Sequence, residues 1–274
     1  MFEQNIAIKD LTKQDLIIKN KANKKKSIDN LRPIGLLNTI RKIFSAILLK
    51  RLQQKTQSYI AEYQYGFVPK KSRQHIIWTY KWLLAANKKM NQIQQVLRIN
   101  ISKAFDSLPR SKRLNVLHQI CDNDDDVIRM CHIILAASEL QIKYHNERSQ
   151  SFTSNVGVPE GDLISPLLFI IYLEAIIYEL LSENDHLKLL IFIYADDVDF
   201  IHQLLNHELD DFLALLTFKF AEWGLSLNPQ KTEDWALDIN PTHHQNIKKL
   251  GSMINPKDQI NKCLSKVKLA FNIT

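Results

Sequence analysis

The chain reads as an α+β protein, a sheet packed on helices, and three stretches carry that reading. Ile191-Phe-Ile-Tyr-Ala-Asp-Asp-Val-Asp-Phe-Ile201 sets apolar runs on either side of two adjacent acids, the layout of a β-hairpin with Asp196 and Asp197 at its apex. Gln95-Val-Leu-Arg-Ile-Asn-Ile-Ser102 alternates apolar and polar side chains, a second strand signal. Leu167 to Leu181 is the longest apolar stretch; it is too short to span a bilayer, Glu174 and Glu179 interrupt it, and it reads as a buried core helix. Adjacent carboxylates repel, so a partly buried pair favours a cation, and Mg²⁺ takes oxygen ligands. An Asp-Asp pair standing alone reads as a solvated turn.

The remaining elements follow in order. Residues 1–30 are polar and basic around Lys24-Lys25-Lys26 and read as an exposed loop, either a solvated surface or a basic lip over nucleic acid. Pro33 and Gly35 break the chain, and Asn38 or Thr39 caps a helix running through Leu52. Arg32, Arg41 and Lys42 are cations around this turn, placed either for solvent or for phosphates. Gln64-Tyr-Gly-Phe-Val-Pro69 is a turn leading into a helix in which Trp78 and Trp82, one turn apart, read as core packing rather than a stacking platform for bases.

Residues 112–138 read as helix interrupted by the acidic turn Asp122 to Asp126. Leu140 to His145 and Ser151 to Val156 form a hairpin, and Gly157-Val-Pro-Glu-Gly-Asp162 is a loop before the core helix, whose first backbone N–H groups can meet an anion. Residues 207–223 form an amphipathic helix ending at Gly224, Asp234 to Leu237 a strand, Ile247 to Ile254 a tight hairpin, and Asp258 to Phe271 an amphipathic helix.

Composition bounds the function classes. Lys and Arg outnumber Asp and Glu by 36 to 29 in 274 residues, a net charge of +7 that favours a polyanionic partner. Only 6 glycines occur, and none builds a glycine-rich phosphate loop. The three cysteines form no Cys-x-x-Cys, which argues against a disulfide framework or a zinc site and for a reducing compartment. The N-terminus lacks the layout of a signal peptide, so the expectation is an intracellular protein of nucleus or organelle, with no membrane partner.

The order of the blocks resembles reverse transcriptases, most closely those of non-long-terminal-repeat retrotransposons. The matching pieces are Arg32-Pro-Ile with Leu36-Leu-Asn-Thr, Gln64-Tyr-Gly-Phe, Ser102-Lys-Ala-Phe-Asp, Gly157-Val-Pro-Glu-Gly-Asp with Ser165-Pro-Leu-Leu-Phe, Tyr194-Ala-Asp-Asp, Gly224-Leu-Ser-Leu-Asn-Pro-Gln-Lys-Thr and Leu250-Gly-Ser-Met-Ile. No piece is specific alone; seven in order are. The resemblance implies one right-hand polymerase domain. Fingers would fill about 1–93 and 110–138, and the palm about 94–109 and 139–256. Residues 257–274 would start the thumb connection, with the thumb largely absent and no endonuclease or RNase H segment.

The resemblance also implies a chemistry: attack of a primer 3′-hydroxyl on the α-phosphate of a deoxynucleoside triphosphate, with two Mg²⁺ ions held by three carboxylates. Asp196 and Asp197 match two ligands, and Asn100 stands where the third belongs. Asp106 is no substitute, because six residues along a strand carry it roughly 20 Å away. The other matches are Phe105 as the residue that excludes a ribose 2′-hydroxyl, Arg32 and Lys42 as cations for the triphosphate, Gly161 beside the nucleotide, Lys231 as proton donor to pyrophosphate, and Leu250 and Gly251 in the primer grip. Glu160 takes the place of an uncharged residue and would repel the triphosphate. RNA or an RNA–DNA hybrid would be the partner, with proteins in place of the thumb. Asn100 and Glu160 imply polymerase activity that is weakened or lost, or a non-catalytic RNA-binding or scaffold subunit.

Overall fold

In the computed structural model the described residues are 11, 13–20, 31–121, 124–136, 138–144, 147–154, 156–159, 161–184, 187, 189–237, 248–249 and 252–253. They group into two compact units, the first within Met1–Ala61, Ile101–Asp185 and Phe212–Leu227, the second within Glu62–Asn100, His186–Asp211 and Asn228–Thr274.

The first unit holds a mixed sheet. β1 (Lys13–Asn20) pairs antiparallel with β2 (Leu31–Leu36) and parallel with β4 (Ser138–Tyr144), and β4 also pairs antiparallel with β5 (Glu147–Arg148) and β6 (Phe152–Ser154). Lys13–Asn20 is thus a strand and not the loop expected from its basic flanks, because Leu16-Ile-Ile18 supplies an apolar centre that a sheet can cover. Pro33 does not break the chain either. It lies on β2, at the edge of the sheet, where a residue without an N–H leaves no ladder bond unmade.

α1 (Thr39–Thr56) follows, with Asn38 as its cap: the side-chain oxygen accepts from the Arg41 N–H at 2.7 Å. α3 (Arg110–Ile120) and α4 (Asp125–Leu135) form the interrupted helical stretch, and Asp124 caps the second. α5 (Ser165–Glu183) is the spine of this unit, packed by α1 and α3. At 19 residues it is long and apolar enough to cross a membrane, but 67% of its apolar window is buried in the fold. Burial, not shortness, makes it a core helix. α6 (Asn206–Glu222), which the second unit's boundary divides, ends at Gly224, whose φ of +76° closes the helix.

The second unit is built on a four-stranded antiparallel sheet, order β7-β8-β3-β9, from β3 (Gln94–Asn100), β7 (Leu190–Tyr194), β8 (Asp197–His202) and β9 (Glu233–Leu237). α2 (Arg73–Met90) packs on one face: Ile76, Tyr80, Leu83 and Leu84 meet Val96, Phe192, Ile201 and Leu237. Residues 73–90 therefore group with this sheet, although the resemblance assigned them to fingers. Trp78 and Trp82 are not core residues; they are 71% and 67% exposed on the opposite side of α2. β10 (Lys248–Lys249) and β11 (Ser252–Met253) pair antiparallel, as the hairpin signal predicts. The helix expected over 258–271 lies outside the described residues.

Candidate active site

The acidic hairpin turns through two residues, Ala195 and Asp196, and Asp197 opens β8 opposite Tyr194. Ala195 has φ +58°, a left-handed conformation that costs a residue with a Cβ about 1 kcal/mol. Neighbouring backbone enforces it. The Tyr65 N–H donates to the Ile193 carbonyl at 2.8 Å, and the Ile193 N–H to the Tyr63 carbonyl at 2.9 Å. Gly66 lies so close that an added Cβ would sit 2.3 Å from the Ala195 nitrogen. The Gln64-Tyr-Gly run thus clamps the acids from behind. Gln64 itself is fully buried, and its side-chain oxygen accepts the Gly66 N–H at 2.8 Å.

Register brings Asn100 to the same place. β3 and β8 pair so that Asn100 stands directly opposite Asp197, a separation of about 5 Å between Cα atoms. The Asn100 carbonyl accepts the Asn228 N–H at 2.8 Å. That bond ties β3 to the short turn Pro229–Lys231, on which Lys231 is exposed. Asp196, Asp197 and Asn100 are all half-buried.

Side chains two apart on a strand share a face. Asn100 therefore shares one with Arg98, and Asp197 with Asp199. Arg98 Nε donates to Asp199 Oδ1 at 3.0 Å, and the Tyr80 hydroxyl donates to Asp199 Oδ2 at 2.5 Å. Asp199 is wholly buried, and the Arg98 guanidinium lies 4.6 Å from the centre of the Trp235 ring. Burial works against the charge of Arg98, but Asp199, Tyr80 and Asp197 together outweigh it and hold its pKa above the ordinary value. Burial first, and then Asp199, raises the Tyr80 hydroxyl well above its own. A fixed cation thus sits within electrostatic reach of Asp197. Sequence reading missed this network; the signal was a pair of charges, Arg98 and Asp199, inside strands whose neighbours are apolar.

Does this site fit two divalent ions? Among the described residues no three His, Cys, Asp or Glu side chains converge as a metal group. The donors are two carboxylates and one amide oxygen, which suit a hard cation but carry one negative charge fewer than the three carboxylates that the resemblance implies.

The other candidates lie in the first unit, except those outside the described residues: Glu160, Leu250 and Gly251. Phe105 is half-buried, its ring 5.0 Å from that of Phe169, and its carbonyl accepts the Val158 N–H at 2.9 Å. Gly157, at φ +77°, passes so near this turn that a Cβ would lie 2.8 Å from the Asp106 carbonyl oxygen. A cleft of ≈ 250 Å³ opens there, lined by Gln14, Leu16, Gly35, Asp106, Arg110 and Pro159 among others. Arg110 Nε is buried without a hydrogen-bond partner. Arg113, wholly buried, donates to the Gly157 carbonyl at 3.3 Å; burial and then Arg110 push its pKa down to about 10.

Lys42 and Gly161 are exposed, and the backbone of Arg32 pairs with Lys19 in the sheet. Arg41 is not a phosphate contact. It is fully buried, paired with Asp162 at 2.9 Å and bonded to the carbonyls of Leu11 and Ile134.

The family described as reverse transcriptase (RNA-dependent DNA polymerase) matches residues 22–254. A probable RNA-directed DNA polymerase from transposon BS of Drosophila melanogaster is 23% identical over 230 residues, 79% of this chain. A putative COX1/OXI3 intron 2 protein of Saccharomyces cerevisiae is 22% identical over 149 residues, 54% of this chain. The chain spans 25% and 16% of the lengths of these two relatives. Among solved structures, telomerase from Candida tropicalis, in complex with a fragment of telomeric RNA, superposes with a TM-score of 0.67 at 13% identity, over 91% of this chain and 44% of that one. Telomerase from Candida albicans superposes with a TM-score of 0.60 at 13% identity, over 94% of this chain and 47% of that one.

Proposed function

This chain belongs to the reverse transcriptase family, and on that premise we propose that it is a nucleic-acid-holding domain of retrotransposon lineage whose DNA-polymerising chemistry is weakened at Asn100. The observation that carries the proposal is the register that sets Asn100 opposite Asp197, with the Arg98–Asp199 pair next along the same face.

In this reading Asp196, Asp197 and the side-chain amide oxygen of Asn100 hold a single Mg²⁺. When bound, the ion supplies positive charge that favours ionisation of the primer hydroxyl and offsets charge on the phosphates. The protein's own groups do the rest. Gly66 and Tyr65 fix the hairpin, so the two carboxylates do not swing away from a bound primer end. The resemblance, not the geometry, assigns Phe105 to the sugar of the nucleotide, Arg32 and Lys42 to its phosphates, and Lys231 to a proton for the pyrophosphate. Glu160 and Asn100 act against these groups, one by adding a negative charge at the triphosphate and the other by removing one at the metal. If each change costs a few kcal/mol, transfer slows about a thousandfold for every ~4 kcal/mol. The partners are RNA or an RNA–DNA hybrid, with deoxynucleoside triphosphates as substrates. The buried thiols of Cys121 and Cys131 accord with a reducing compartment of nucleus or organelle.

A second reading has a specific observation in its favour. Arg98, bonded to buried Asp199 at 3.0 Å, stands beside the acidic apex on the same face as Asn100, and a fixed ion pair there suits a non-catalytic RNA-binding or scaffold subunit. Equilibrium Mn²⁺ binding, followed by the loss of the free-ion paramagnetic signal, tests the proposed site. The unmodified chain should take up no more than one ion at the hairpin, and that ion should be lost in Asp196→Ala. Asn100→Asp should bind a second. Two ions bound by the unmodified chain with similar affinity would overturn the one-ion site.

A further inference from the structure

The outer face of α2 is unlike any other surface described above. Gln74, Trp78, Trp82, Ala85 and Lys89 fall at successive intervals of four, four, three and four residues, which is one straight row along a helix. The buried side is complete without them, since Ile76, Ile77, Tyr80, Leu83, Leu84 and Asn87 fill it. The two indoles are 71% and 67% exposed. Burial of such a ring ordinarily removes some 150–250 Å² from water, so two left open one turn apart mark a surface with an occupant.

Charge identifies the occupant. The eighteen residues Arg73–Met90 include Arg73, Lys81, Lys88 and Lys89 and not one Asp or Glu. Lys81 Nζ lies 5.8 Å from the centre of the Trp78 ring. Lys70, just before the helix, is exposed, as are Arg73 at its start and Lys88 and Lys89 at its end. Flat aromatic rings set in a row of cations match a strand that offers unpaired bases between phosphates. Base-on-indole stacking is indifferent to sequence, and the cations follow the backbone. A duplex hides its base faces and could use only the cations.

We propose that the outer face of α2 is a docking site for single-stranded RNA, with Trp78 and Trp82 stacking on bases and Lys81, Lys88 and Lys89 meeting phosphates. It lies across α2 from the core that packs on the acidic sheet. The site rests on the nucleic-acid partnership proposed above but not on the polymerase chemistry, and it holds a strand whether or not nucleotides are transferred.

The test is anisotropy of a labelled oligouridylate of about 12 nucleotides titrated with the full chain at low salt. Variants are Trp78→Ala with Trp82→Ala, and Trp78→Phe with Trp82→Phe. Circular dichroism and thermal unfolding serve as the check on folding, which exposed rings should not disturb. The alanine pair should weaken binding about tenfold or more, and the phenylalanine pair should keep most of the affinity. Duplex RNA of the same length should be insensitive to both pairs. Unchanged affinity in a folded alanine pair would overturn the site, and so would equal dependence of duplex binding on the rings. An oligoglutamate peptide that binds with the same dependence on both indoles, while the oligouridylate does not, would overturn it in favour of a protein contact. If the unmodified chain binds no single strand at all, the nucleic-acid partnership fails with it; if it binds and the rings do not matter, only this site fails.

Discussion

Asn100 and Arg98 are the two residues of β3 that share a face beside the acidic hairpin. An amide carries a neutral oxygen where a carboxylate carries charge, and the next residue on that face is a guanidinium bonded to Asp199. Because Asp199 is wholly buried, Arg98→Met would take the guanidinium from a buried carboxylate, and breaking a buried ion pair in this way ordinarily costs about 3–5 kcal/mol. An unfolding free energy lowered by that amount, seen as a lower urea midpoint with the slope unchanged, is the expected outcome; a loss under about 1 kcal/mol would show that the remaining contacts, Tyr80 among them, hold Asp199. The pairing of Asn100 with Asp197 was legible only through the resemblance, whose motif order sets Asn100 at the third ligand position; the alternation of the strand alone fixes neither its partner nor its register. The Arg98–Asp199 pair was not legible. A charge in an alternating strand reads as solvent-facing, and only the packing of Tyr80 and Trp235 shows that it is enclosed. Arg41 misled for the same reason: a cation beside a turn says nothing about a carboxylate, Asp162, far along the chain.

At the scale of elements, the hairpin is held by backbone rather than by side chains. Gly66→Ala would force a Cβ to 2.3 Å from the Ala195 nitrogen, where neither backbone can yield cheaply. The expected result is a loss of about 1–3 kcal/mol in stability, together with weaker Mn²⁺ uptake, since the apex that carries Asp196 must shift. Stability lost with Mn²⁺ uptake intact would place the strain elsewhere. The sequence made the hairpin, the core helix and the capped α1 plain, since each rests on a period or a cap that no neighbour overrides. It hid β1, whose apolar centre is only three residues long between lysines. It also hid the orientation of α2: Trp78 and Trp82 are spaced for a core, but so is the longer set from Ile76 to Leu84. The helix buries the set with more apolar positions.

At the scale of the molecule, the net charge of +7 and the cations of α2 predict association with RNA that weakens as salt rises, log K falling linearly with log[salt] through counterion release. Titration at several salt concentrations checks this, and a flat dependence would remove the phosphate contacts from the account. Fold class was readable from seven short blocks in order, while the division of the chain into two units was not, because contacts between distant segments set it. The claim that most needs testing is that the fold is kept with its chemistry weakened. Primer extension on an RNA template with Mg²⁺ measures it directly, comparing the purified chain with Asn100→Asp, Asn100→Asp combined with Glu160→Gln, and Asp196→Ala. The account predicts near-background synthesis by the unmodified chain, a gain in Asn100→Asp, and a larger gain in the double variant. Robust extension by the unmodified chain, abolished in Asp196→Ala, would contradict it.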